Sequence, residues 1–149
     1  MAYNLPWLAN GGSGSFVLRD ASNTGLVGAG ISEGSLTNQG AITYSTNGQT
    51  ITGKKFTDTV IISGDNITID GCLFEWGDSP FGSKLVNTGT GNTVKNSTFR
   101  NSAGYTYHQI SLQEGSLTVD LCDISDYQDG ITADGGSLTC RRSYFHATA

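Results

Sequence analysis

Positive charge is scarce in this chain. Eight Lys and Arg stand against 13 Asp and Glu in 149 residues, a formal charge of −5, with no basic cluster. A phosphate backbone would find no electrostatic footprint here, so nucleic acid is not expected as a partner. Long hydrophobic runs are missing as well. Residues 1–10 have neither the basic n-region nor the apolar core of a secretory leader, and no later stretch reaches membrane-spanning length. No classical signal peptide and no membrane insertion are therefore expected. Stretches rich in Leu, Ala, Glu and Lys, the helix formers, are absent too, while Thr, Ser, Asn and 21 glycines abound. That composition favours short strands joined by turns, hence an all-β class in one modest domain.

What is present is a repeat. Segments 66–74 (NITIDGCLF), 91–99 (GNTVKNSTF), 116–124 (SLTVDLCDI) and 137–145 (SLTCRRSYF) share one pattern, and 48–56 (GQTITGKKF) fits it more loosely. One aligned column reads Ile51, Ile69, Val94, Val119, Cys140, and another reads Phe56, Phe74, Phe99, Ile124, Phe145. A further apolar position, Val60, Leu85, Ile110, Ile131, sets the period at 25, 25 and then 21 residues. Self-similarity at this period marks a solenoid. The LxxLxL spacing and helical return of leucine-rich repeats are missing, and several matching columns argue against chance alternation in a β-sandwich. The expected fold is a right-handed parallel β-helix of about five coils over 48–149, preceded by an N-terminal cap or attachment segment, 1–47.

Side chains alternate across a strand, so the columns between the apolar ones should point outward. They read Thr50, Thr68, Thr93, Thr118, Thr139 and Thr52, Asp70, Lys95, Asp120, Arg141. The second carries alternating charge at the strand spacing of about 4.8 Å. Each exposed pair is worth less than about 1 kcal/mol, so its value lies in register: a slip by one coil would oppose like charges.

The three cysteines form no recognisable site. Cys72 and Cys122 share a column two coils apart, about 9–10 Å, too far to bridge, and Cys140 is expected to face inward as a small buried hydrophobe. Without CxxC or a histidine pair no zinc site is expected. The sequons at Asn66 and Asn96 lie in or beside predicted strands, and the glycines around 28–30 and 89–91 lack the strand-then-helix context of a dinucleotide site.

Function is therefore sought where coil lengths differ, because insertions in a solenoid map to loops on one side. Three such stretches, 75–84, 100–109 and 125–130, hold Trp76, Phe81, Tyr105, Tyr107 and Tyr127 together with His108, Asp78, Asp126 and Asp129. Aromatic faces beside carboxylates suit a sugar, so Trp76, Phe81, Tyr105, Tyr107, His108 and Tyr127 are the candidate glycan-binding residues. The alternative is that these rings fold inward to cover the coil edge. A hydrolase needs two carboxylates flanking a bond; Asp126 and Asp129, with Glu75, are the candidates, although Asp129-Gly130 also reads as turn chemistry. His108 and His146 are the only histidines, and no Ser-His-Asp arrangement follows from spacing.

The repeated (N/S)-x-T-(I/V)-x-x-(C/S)-x-F pattern resembles the pectate-lyase-like parallel β-helix superfamily. More narrowly, the stretch from Asn23-Thr-Gly25 through Gly48-Gln-Thr-Ile-Thr-Gly53 to the coils looks like β-helix proteins of actinobacteria and minor tail proteins of their phages. The resemblance implies a virion or extracellular setting, with host-surface polysaccharide or other virion proteins as partners. Lyases of the superfamily combine calcium-binding acids with a catalytic Arg or Lys, and polygalacturonase-like members carry paired Asp and Gly-His-Gly; neither set can be placed here. No metal or cofactor is expected, calcium entering only for a lyase. Similar proteins continue for further coils, so the expectation is a fragment of a longer β-helix, or another subunit, as in a homotrimer, over the open end. Leu5, Trp7, Leu8, Phe16, Val17 and Leu18 would serve the cap or attachment segment. The reading that results is a non-catalytic β-helix module of a phage tail or surface particle, structural and/or glycan-binding, with a polysaccharide lyase or glycoside hydrolase as the alternative.

Overall fold

A computed structural model describes residues 18–76, 82–102 and 106–146, with Thr106 and Tyr107 described by their backbone alone. The chain winds into a parallel β-solenoid in which every coil contributes one strand to each of three sheets. Coil one holds β1 (Thr37–Gln39), β2 (Ile42–Tyr44) and β3 (Thr50–Thr52), and coil two holds β4 (Lys54–Phe56), β5 (Val60–Ile62) and β6 (Thr68–Asp70). Coil three is β7 (Leu73–Trp76), β8 (Ser83–Asn87) and β9 (Asn92–Lys95); coil four is β10 (Thr98–Asn101), β11 (Thr106–Leu112) and β12 (Ser116–Asp120). Coil five is β13 (Asp123–Ser125), β14 (Tyr127–Ala133) and β15 (Ser137–Arg141), and β16 (Tyr144–His146) follows it. The first sheet runs β1-β4-β7-β10-β13-β16, the second β2-β5-β8-β11-β14 and the third β3-β6-β9-β12-β15.

The register is the one the columns imply. Ile51, Ile69, Val94, Val119 and Cys140 are successive partners in the third sheet, as are Phe56, Phe74, Phe99, Ile124 and Phe145 in the first. Identical side chains in one column stack on themselves. The Phe74 and Phe99 rings lie 4.1 Å apart at 6°, and Phe56 and Phe74 lie 4.8 Å apart at 33°. Such pairs add about 0.5–1.5 kcal/mol each to the gain from burial. The outward charge column forms ion pairs at 3.3 Å between Lys95 and Asp70 and between Arg141 and Asp120.

Corners are held by a different chemistry. Between the second and third sheets Asn87 and Asn92 are fully enclosed. Asn92 donates to Asn87 Oδ1 and to Gly64 O and accepts from the Ile67 amide, while Asn87 donates to Gly89 O and Glu114 O. Their amides thus take the place of the ladder where the chain turns. Beside them backbones touch: a Cβ on Gly115 would lie 2.1 Å from Gly89 O. Between the third and first sheets each coil places one residue in the left-handed region, namely Gly53, Gly71, Asn96, Leu121 and Arg142.

Position in the stack decides burial. Cys72 and Cys122 are enclosed free thiols that burial pushes up to about 11 and about 12, so they act as packing atoms. Cys140 corrects the sequence expectation: it occupies the inward column yet is exposed. Its strand is the outermost of the third sheet, and no described coil lies beyond it to cover an inward side chain. Leu138 and Phe145 are exposed for the same reason.

Ahead of β1 the chain runs along the outside of the coils. This strap includes one helical turn, α1 (Gly25–Gly28), and a 3-10 turn, Glu33–Ser35. Gly25 N donates to Leu121 O, Leu26 N donates to Thr98 Oγ1, and Glu33 pairs with Arg100, before Thr37 N reaches Gly53 O. The strap therefore spans several coils and covers the outer face of the first sheet, where Leu73 and Leu26 are buried. Leu18 is exposed, whereas Leu5, Trp7, Leu8, Phe16 and Val17 lie outside the described residues. Residues 37–47 supply strands of the first coil.

The glycine contact between coils yields a prediction. Gly115→Ala sets a methyl against a neighbouring backbone at a φ of 73° and should cost about 2–4 kcal/mol of unfolding free energy by urea denaturation. An unchanged urea midpoint would show that the coils can separate there.

Candidate functional site

The coil edge between the first and second sheets gathers the candidates that lie on described residues. Phe81, Tyr105 and Asp78 lie outside them, and Tyr107 is described only as backbone in β11. Glu75 and Trp76 end β7, Arg100 and Asn101 end β10, and Asp126 lies between β13 and β14, so inter-coil pairing stacks these ends.

Glu75 sits at the centre of a charge cluster. Its Oε1 takes Lys55 Nζ at 2.7 Å, and its Oε2 takes Arg100 Nε. Arg100 also holds Glu33 of the strap in a bidentate pair at 2.8 Å. Burial pushes the Glu75 carboxyl up, but the hydrogen bonds and charges of Lys55 and Arg100 outweigh it and hold the group below its ordinary value. A carboxyl held ionised in this way cannot deliver a proton to a leaving group near neutral pH.

Asp126 is committed differently. It is buried, with a φ of 58°, a conformation that Asp tolerates better than most residues. Its Oδ2 accepts from Ser125 Oγ at 3.2 Å and from Asn101 N at 3.4 Å. Its backbone carbonyl accepts from Asn101 Nδ2 and from Gln109 Nε2. Asp129, by contrast, is exposed on β14 and lies 3.6 Å from His108 Nδ1. The two aspartates thus differ in environment: one belongs to a buried turn and the other faces solvent.

The aromatic residues also divide. Trp76 is half-buried against the core, and the fully buried Lys84 places its ammonium 3.8 Å from the ring centroid while donating to Trp76 O. That face of the indole carries a cation, an arrangement worth about 2 kcal/mol when desolvated. Tyr127 packs its ring edge-on to Phe145, with centroids 6.4 Å apart, and burial pushes its hydroxyl up. Tyr127, His108 and Asp129 together form the more open part of the edge.

The sheet register adds an arrangement that linear spacing did not reveal. His108 is the direct partner of Ser83 in one neighbouring strand and of Asp129 in the other, so serine, histidine and aspartate share one column across three coils. Ser83 retains only 9% of its exposure, which leaves little room for a substrate at its hydroxyl. Sequence reasoning also missed the buried Lys84 and Gln109 and the half-buried Asn101 as members of the edge. Glu75 and Arg100 follow their phenylalanines directly, so their pairing was legible in the alignment, but the third partner, Glu33, comes from the strap. Among the described residues no group of three His, Cys, Asp or Glu is placed to hold a metal ion.

Comparison with known proteins returns no match to a family model, a curated protein or a solved structure.

The charge cluster has a pH signature. Because the Glu75 carboxyl is lowered in the folded state, its stabilisation is present above its ordinary value of 4.5 and is lost as pH falls from there through its folded-state value. Urea midpoints recorded from pH 7 down to pH 3 should fall on acidification, and Glu75→Gln should lower the pH 7 midpoint while flattening the acid slope. The same slope in wild type and variant would mean that Glu75 carries none of it.

Proposed function

We propose that the chain is a non-catalytic β-solenoid module of a phage tail or other surface particle, structural in role and contacting host-surface glycan through the loop edge. One observation carries the non-catalytic reading: two of the three candidate carboxylates of the edge are committed, and Asp129 alone faces solvent. Glu75 is clamped by Lys55 and Arg100 and Asp126 is buried in a hydrogen-bonded turn. Glycoside cleavage asks one carboxyl to be protonated beside another that is ionised and reachable; Glu75 is held ionised by its two cations, and Asp126 is enclosed in its turn. The exposed Asp129, with the half-buried Tyr127 and His108 beside it, supports glycan contact, since the three pair an aromatic surface with donors and acceptors for hydroxyls.

Placement in the pectate-lyase-like superfamily, near the minor tail proteins of actinobacterial phages, rests on the repeat pattern and fits the parallel solenoid. On this reading the partners are host-surface polysaccharide and neighbouring virion subunits, in a homotrimer or another assembly. No helix among the described residues is long and apolar enough to cross a membrane. A second reading, a polysaccharide lyase or glycoside hydrolase at the same edge, is favoured by the exposed carboxylate of Asp129 beside His108.

A glycan array combined with product assays separates the two. The expected outcome is binding that Glu75→Gln leaves intact and that Tyr127→Ala with Asp129→Ala weakens at least about tenfold, or about 1.4 kcal/mol. No new reducing ends or ultraviolet-absorbing unsaturated products should form. Product release would favour the enzyme; absence of binding across the array would confine the module to a structural role.

A further inference from the structure

A cavity of about 200 Å³ lies away from the loop edge, between the strap and the corner joining the third and first sheets. One wall is the left-handed corner column, where Asn96, Leu121 and Arg142 follow one another up the coils; the other includes Arg19 and Gly25 of the strap. We propose that this cavity binds a compact oxyanion, a carboxylate or sulfate group.

Charge is the first argument. Among the described residues no acidic side chain lines the cavity, while two guanidinium groups do. Two of the nearby carboxylates are paired with cations. Asp120 is held by Arg142 at 2.6 Å and by Arg141 at 3.3 Å, and Asp70 by Lys95 and by the Asn96 amide. Asp20 turns to Ser22. Two arginines on one aspartate leave one positive charge in surplus, and Arg19 makes no ion pair among the described residues. In a chain whose formal charge is −5, two guanidinium groups at one cavity concentrate positive charge. Guanidinium groups are suited to oxyanions through paired N–H donors.

Backbone conformation is the second. The corner position takes φ near 50° or 65° in every coil and is filled by glycine in the first two, at Gly53 and Gly71. A β-carbon is strained there, so Arg142, at φ 49°, occupies a place where glycine fits with less strain. Its pairing with Asp120 offsets part of that cost and also fixes the guanidinium at the cavity rim. The strap wall is equally constrained: a Cβ on Gly25 would lie 2.4 Å from Thr98 Oγ1 and 2.7 Å from Asp123 Cβ. Both walls are thus set before a ligand arrives, which lowers the entropic cost of binding.

The volume admits a single substituent or sugar ring, smaller than the sites that enclose drug-sized ligands. The anion therefore comes either as a free ion or as the acidic group of a saccharide. Titration of the isotope-labelled full chain with sodium sulfate and with glucuronate, against glucose and against sodium chloride at matched ionic strength, distinguishes these sources. Saturable amide shifts at Gly25, Leu121 and Arg142 are expected with both anions and with neither control. Tighter glucuronate would assign the site to a uronate, and sulfate at least as tight would assign it to a free oxyanion. Arg19→Gln should weaken binding at least about fivefold, as loss of one charge-assisted contact implies. Arg142→Gln should weaken it further, but it also releases Asp120, so Arg19→Gln is the deciding variant. Shifts that never saturate, that chloride reproduces, or that Arg19→Gln leaves unchanged would overturn the proposal. Loss of glycan binding at the loop edge would not bear on it.

Discussion

Everything in this molecule depends on one coil pairing in register with the next. Each of the three sheets is a parallel ladder across coils, and a parallel ladder satisfies backbone groups only if every coil offers a strand at the same three places. Once that condition holds, like residues meet like. The Phe56, Phe74 and Phe99 rings stack because their strands are adjacent, and their full burial contributes about 1.5–3 kcal/mol apiece. A side-chain period of two makes the register costly to change, since a one-residue slip would turn a whole apolar column outward.

The corners show what the ladder cannot provide. Where the backbone bends, amides lose their strand partners, and the chain substitutes Asn87 and Asn92, whose side chains reach three neighbouring segments. The left-handed corner column solves the same problem by conformation. Its occupants change from glycine to asparagine, leucine and arginine along the solenoid, and the last of these carries a charge to the rim of the cavity beneath the strap. The strap in turn is held by contacts to coils remote in sequence, from Gly25 with Leu121 to Glu33 with Arg100, so it braces the stack from outside.

Function on this scaffold is confined to places where the repeat is irregular. The loop edge differs between coils in length and in the residues it stacks, and most of its polar groups stabilise that irregularity: Glu75 joins two coils to the strap, Asp126 closes a turn, and Lys84 lies on Trp76. Residues that hold a loop are poor candidates for chemistry, because moving them would cost the loop. What is left open to solvent is the small surface of Tyr127, His108 and Asp129. The same argument separates the cavity from the edge, since Arg19 is not needed to hold any described ion pair.

The sequence by itself determined the coils. Five aligned segments placed the inward Ile/Val and Phe columns, the outward threonines and the alternating charges, because a repeat writes each contact between neighbouring coils as a vertical match between segments. Glu75 beside Arg100 was legible on the same principle. Only the tertiary structure decided which members of an inward column are covered, leaving Cys140 and Phe145 exposed, and which acids are spent on ion pairs. It alone brought Ser83, His108 and Asp129 into one column, and it alone set Arg19 opposite Arg142. The physical reason is the same throughout: periodic contacts are local in an alignment, whereas loops of unequal length and a strap crossing several coils make contacts that no period records.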